Sequence, residues 1–179
     1  MTAQTARATV GTAARDAAEA RAHVEQARRR AGDLLNILRD EVEESAQQRE
    51  LLIDLDADAL LTRAARRDAF NANAAAMQED VAAHLRRAAD ALGLTEVTFE
   101  ALGAHLPDGV EALKRTLSEV GHLAAELRRL DETNLLLGRR ALAITRGYFE
   151  ALLPQTAAYD RSGRARESRA AVKGDITLL

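Results

Sequence analysis

An all-α fold is the class that composition and patterning predict: an antiparallel helical bundle or coiled coil with one very long carboxy-terminal helix and a flexible tail. Three observations carry this expectation. Alanine makes up about a fifth of the 179 residues, and Leu, Glu and Arg supply much of the rest, all strong helix formers. Aromatics are 3%, Trp is absent and there are 2 prolines, so the β-branched and aromatic alternation of strands is missing. Apolar residues also recur at three- and four-residue spacing over long stretches. A chain of this length can bury a core unaided. With no cysteine, it has no disulfide, thiolate nucleophile, iron–sulfur cluster or Cys-based zinc site.

The first segment, residues 12–30, is Ala-rich and weakly amphipathic. It closes on Arg28, Arg29 and Arg30, expected as the solvated last turn of a helix, where cations suit the C-terminal dipole. Asp33 can cap a fresh start, although the single Gly32 need not interrupt a long helix. Apolar residues then fall at Leu34, Leu35, Leu38, Val42, Ala46, Leu52 and Ile53, on one face of an amphipathic helix. Asp54, Asp56 and Asp58 break that pattern. They lack the Gly and terminal Glu of a calcium loop, so Asp56 or Asp58 is expected to cap the next helix.

That second helix spans about 58–92. Its seam of Leu60, Ala64, Phe70, Ala74, Met77, Val81, Leu85, Ala88 and Leu92 is near-heptad with one irregular step, and Gly93 closes it. Residues 94–107 form a connector with a short helical turn capped by Thr95 or Thr98. Its Val97, Phe99, Leu102 and Leu106 are expected to plug one end of the bundle. Asp108, just after Pro107, is expected to cap the last helix, whose pattern runs to about Leu153. Val110, Leu113, Leu117, Val120, Ala124, Leu127, Leu130, Asn134, Leu137, Ala141, Ile144, Tyr148 and Leu152 form its seam. Such a helix would be roughly 65–70 Å long, the spine of a bundle. Asn134 is the polar residue of that seam, where one amide sets register and partner at some cost in stability. Pro154 ends the helix. From Gln155 to Leu179 small polar and basic residues take over, with Tyr159 near the start, and the segment is expected to be extended or disordered.

The net charge of −3 steers the chain toward neither nucleic acid nor anionic lipid. No apolar run reaches the roughly 18 residues a spanning helix needs, and the amino terminus lacks the apolar stretch of a secretory signal. A cytoplasmic protein without membrane insertion is expected. Chemistry is sparse. The histidines are His23, His84, His105 and His122. Glu119 and His122 make one Glu-x-x-His pair, where di-iron bundles use two, and Asp80 with His84 reads as an (i, i+4) surface pair. No catalytic residue, metal site or cofactor is expected, and the chain does not read as an enzyme.

The last third of the long helix is distinctive. Leu135, Leu136 and Leu137 are successive, so they point in directions about 100° apart and one covering face cannot bury all three. Either further helices pack there or the surface awaits a partner's amphipathic helix. The run Leu127-Arg128-Arg129-Leu130-Asp131-Glu132-Thr133-Asn134, followed by Leu136 and Leu137, resembles the long-helix signature of the FlgN family of flagellar export chaperones, Leu-Arg-x-Leu-Asn-x-x-Asn followed by leucines. Pro154, Tyr159, Gly163 and Ile176-Thr177-Leu178 fall in the order of the family's tail. Asp131 stands in place of the family's first Asn, and Asp160 in place of the Gly after the tyrosine.

The resemblance spans about 33–179. It divides the chain into an Ala-rich, helical amino-terminal extension over 1–32, a FlgN-like helical bundle over 33–154 and an extended or disordered tail over 155–179. It implies a cytoplasmic, non-enzymatic chaperone for hook-associated proteins of the hook–filament junction, holding their C-terminal helices and delivering them to the membrane export-gate protein of the flagellar type III secretion apparatus. Carried over by position, the client site comprises Asn134, Leu135, Leu137, Leu142, Phe149, Leu152 and Leu153, and Tyr159 docks at the gate. A homodimer in the client-free state would cover the same seam. The competing class is a scaffolding coiled coil that self-associates without a client.

Overall fold

Four α-helices follow one another in the computed structural model: α1 (Ala3–Asp54), α2 (Ala57–Ala91), α3 (Phe99–His105) and α4 (Pro107–Leu152). Two short strands, β1 (Ala158–Tyr159) and β2 (Ala165–Arg166), come after them. The structure describes the backbone of residues 3–152, 158–159 and 165–166 and the side chains of residues 14–152. The chain divides into two units, Met1–Arg139 and Arg140–Leu179.

The first unit is a bundle of α1, α2 and the beginning of α4, with α3 at one end. Contacts between α1 and α2 run in opposite chain directions: His23 meets His84, Arg30 reaches Asp80, and Glu41 meets Arg63. The two helices are therefore antiparallel. Contacts between α1 and α4 advance together, from Val24 with Gly109 through Arg39 with Glu119 to Ser45 with Asn134. The order is up, down, up, as short connections between neighbours require.

Buried positions on α1 recur at Ala20, Val24, Ala27, Ala31, Leu34, Leu38, Glu41 and Ser45, alternating steps of four and three. Three apolar clusters stack along the bundle. Ala20, Val24, Ala88, Ala89, Leu102, Leu106 and Val110 close one end; Ala27, Ala31, Val81 and Leu113 come next; Leu34, Leu38, Ala74 and Leu127 follow, with Phe70 and Met77 packed against them. Alanine at facing positions suits a close approach of helix axes, with the larger Leu, Phe and Met filling what remains.

Caps and turns follow local chemistry. Asp56 caps α2, its Oδ1 accepting from the Ala59 amide at 3.0 Å, and Thr98 caps α3, its Oγ1 accepting from Ala101 at 3.1 Å. Gly93 closes α2 with φ +65°, and the Leu94 amide donates back to Ala89 at 2.9 Å. The turn after α1 repeats this geometry without a glycine. Leu55 sits at φ 56°, and the Asp56 amide donates to Leu51 at 3.2 Å. A left-handed leucine costs roughly 1–2 kcal/mol.

Several expectations are corrected. Helix α1 runs unbroken through Gly32, so Arg28–Arg30 lie in mid-helix and pair with Glu25, Asp33 and Asp80 rather than closing a helix. Ala46 and Ile53 on α1 and Ala64 on α2 face solvent, because Glu41, Ser45 and Arg63 occupy the inward positions. Val97 is exposed, while Leu102 and Leu106 plug the end. Pro107 is itself the first residue of α4, which its fixed φ favours, so Asp108 is a first-turn acid rather than the cap.

The second unit contains the end of α4, Arg140 to Leu152, and an antiparallel pairing of β1 with β2 in the register Ala158↔Arg166 and Tyr159↔Ala165. The remainder of the expected tail, with Leu153 and Pro154, lies outside the described residues.

Candidate functional site

The C-terminal part of α4 carries most of the exposed large apolar side chains. In the first unit Leu135 and Leu136 are each more than half exposed, while Leu137 is half-buried. In the second unit Leu142, Ile144, Tyr148, Phe149 and Leu152 are each more than half exposed. Leu135, Leu142 and Phe149 follow at seven-residue intervals, and Ile144, Tyr148 and Leu152 at four. Within the second unit, Tyr148, Phe149 and Leu152 bring these rows together at the end of the helix, an exposed apolar surface. Of the two outcomes open for the triple leucine, covered or awaiting a partner, the described residues leave Leu135 and Leu136 uncovered.

Asn134, the other residue expected at this site, is turned the opposite way. It is buried, and its Nδ2 donates to the backbone carbonyl of Ser45 at 2.8 Å. The side chains of Leu153 and Tyr159 lie outside the described residues.

Asn134 belongs to a polar layer through the first unit. Glu41 is buried and pairs with Arg63, whose side chain is 6% exposed. Arg67 donates from Nη1 to Glu41 at 2.7 Å and from Nη2 to Asp131 at 2.5 Å, so one guanidinium joins α1 and α4. Arg63 Nη2 also donates to Ser45 Oγ at 2.9 Å. The Arg67 guanidinium carbon lies 5.4 Å from the centre of the Phe70 ring, within cation–π range. Among the described residues, only the Arg63 Nε is buried without a partner. Arginine suits this place because its planar fork serves several acceptors at once. The layer therefore fixes how α1, α2 and α4 meet at the level where α4 begins to expose its leucines.

Glu119 is engaged with Arg39 at 3.2 Å, and the described residues hold no group of three or more His, Asp or Glu placed to bind a metal ion. Asp80 pairs with Arg30 at 3.4 Å, while His84 turns to His23, their Nδ1 atoms 3.3 Å apart, which corrects the expected Asp80–His84 surface pair. Such a contact needs one Nδ1 to carry the proton and the other to accept. Burial lowers the His84 pKa below its usual 6.5, and the neighbouring His23 and Arg87 lower it further. Glu25, accepting from Arg28 and Arg29, is lowered to about 2.

A family model described as FlgN protein matches residues 33–167. The chain belongs to the FlgN family. No curated protein and no solved structure matches it. The FlgN match covers α1 from residue 33, all of α2, α3 and α4, and both strands. It leaves out residues 1–32, four of which, Ala20, Val24, Ala27 and Ala31, are buried in the core. Membership of the FlgN family points to a flagellar export chaperone, a binding protein rather than a catalyst. Among the described residues no helix is long and apolar enough to cross a membrane.

Proposed function

We propose that this chain is a cytoplasmic, non-enzymatic chaperone of the flagellar type III export system that holds the C-terminal helices of hook-associated proteins. One observation carries the proposal: a FlgN-family chain exposes Leu142, Ile144, Tyr148, Phe149 and Leu152 at the end of its longest matched helix. A hook-associated helix made for coiled-coil assembly has an apolar stripe of its own. Laying one stripe against the other removes both from water until export, the helix-in-groove mode of recognition.

Each large side chain so covered contributes about 1.5–3 kcal/mol before the costs of ordering are subtracted. Leu135, Leu142, Phe149 and Leu152 supply the contact, with the half-buried Leu137, and Leu153 is assigned to it by the family resemblance. Asn134 acts from beneath, holding the helix in register through Ser45. Tyr159, a residue of β1 paired with Ala165 in the second unit, is assigned to docking at the export-gate protein, to which the loaded chaperone delivers its client.

The test is calorimetric titration of the full chain with a C-terminal fragment of a hook-associated protein from the same source. One-to-one binding is expected, and Phe149→Asp should weaken it by at least about 30-fold, the equivalent of losing roughly 2 kcal/mol. The Tyr159→Ala variant should keep client affinity and lose capture by the gate protein's cytoplasmic part. Self-association of the chain with no client binding would favour the scaffolding coiled coil instead.

A further inference from the structure

Exposed large apolar side chains in the first unit are not scattered. Among its described residues they are Ile53, Leu55, Leu61, Val97, Leu135 and Leu136, and only Val97 lies away from the end where α1 turns into α2. Ile53, Leu55 and Leu61, at 64%, 54% and 71% exposure, surround the turn itself. Leu52, just before them, lies against α4 at Gly138, where an added Cβ would come 3.7 Å from its Cδ2. The turn and the beginning of the α4 stripe thus lie at one end of this unit.

The turn itself is acidic, with Arg49 and Arg63 the first cations on either side of it, and Arg63 and Arg66 are engaged with Glu44. Glu50, Asp54, Asp56 and Asp58 are exposed, no Lys or Arg stands between Glu50 and Thr62, and none of the four acids joins an ion pair among the described residues. Leu55 adds a third feature. It occupies the left-handed backbone that Gly or Asn takes without strain, yet a leucine is there and its side chain stands in water. Beside it a hollow of about 410 Å³ between the two helices is lined by Leu51, Ala59 and Thr62 together with Glu44, Glu50 and the arginines Arg63 and Arg66.

We infer that the α1–α2 turn is a second contact surface, made for an amphipathic helix whose apolar stripe is bordered by Lys or Arg side chains. The inference rests on the chaperone reading and deepens it by giving the chemistry of the client. Apolar residues of the client cover Ile53, Leu55 and Leu61, while its basic border meets Glu50, Asp54 and Asp58, which steers the approach and selects against acidic helices.

The experiment uses the full chain and the hook-associated C-terminal fragment, with Kd measured at low and at moderate salt. The substitutions Ile53→Ser with Leu61→Ser alter only exposed side chains, and an unchanged thermal melt establishes that folding is kept. They should weaken binding at least tenfold. Asp54→Asn with Asp58→Asn should weaken binding at low salt and flatten its salt dependence. If both pairs bind within twofold of the unaltered chain while Phe149→Asp does not bind, the turn is no contact surface and the chaperone reading stands. If the unaltered chain itself fails to bind the fragment, that reading falls and this inference with it.

Discussion

Replacing Glu41 by alanine is the most demanding perturbation of the bundle. Its side chain is 6% exposed and accepts from both Arg63 and Arg67. Without it, Arg63, equally buried, keeps only the hydroxyl of Ser45 and a more distant Glu44 carboxylate 3.7 Å away, 40% exposed. Arg67 keeps Asp131 at 2.5 Å. The loss is therefore that of a buried charge deprived of its main partner, about 3–5 kcal/mol, rather than the 1 kcal/mol or less of a surface pair. For a chain of this size that is a fall in Tm of roughly 6–20 °C. Urea unfolding followed by circular dichroism reads it directly, with an unchanged m-value showing that the same surface is exposed. Combining Glu41→Leu with Arg63→Met replaces the pair by apolar groups and should recover most of the loss. A cost below about 1 kcal/mol for Glu41→Ala would show that water reaches the layer and that it does not fix the helices.

Three further outcomes are expected. Asp56→Ala removes the cap of α2 and should cost about 1 kcal/mol in the same unfolding experiment. Leu55→Gly relieves the left-handed backbone but adds freedom to the unfolded chain, so a net gain of roughly 0.5–1 kcal/mol is expected. The His84 pair should make stability depend on pH. Because the folded pKa lies below 6.5, the unfolded chain binds the proton more readily, and stability present above pH 6.5 is lost as pH falls below it. Glu25 acts only lower, between its ordinary 4.5 and about 2, so a series from pH 7.5 to 5 isolates the histidine. His84→Gln should flatten that series; an unaltered slope would move the effect elsewhere.

Helix content, the acidic turn and the closing Gly93 were legible because each rests on local chemistry, and the caps were narrowed to Asp56 or Asp58 and Thr95 or Thr98, of which Asp56 and Thr98 act. The polar layer was not. The α2 seam read from apolar residues runs from Leu60 through Ala64 to Phe70, whereas the true inward row has Arg63 in place of Ala64 and Arg67 before Phe70. On α1, Glu41 and Ser45 continue the four-three spacing that begins at Ala20. Both helices keep the period, and only the assumption that inward means apolar hid it. Asn134 was legible as a seam residue because a single amide among leucines stands out, yet its partner is a backbone carbonyl on α1, 89 positions away in sequence. The continuity of α1 through Gly32 was undecidable locally, since one glycine costs a helix only about 1 kcal/mol and the packing of Ala27 and Ala31 outweighs it. The apolar end of α4 could be read as unusual, but whether other helices cover it depends on contacts that sequence spacing does not contain.

The most direct measurement is the affinity of the full chain for the C-terminal fragment of a hook-associated protein, with and without the α4 stripe. Submicromolar, one-to-one binding that Leu142→Asp and Phe149→Asp abolish, with helicity and melting unchanged, is the expected result. Binding untouched by both substitutions, or melting lost along with it, would contradict the assignment of the exposed end of α4 as the surface that holds the client.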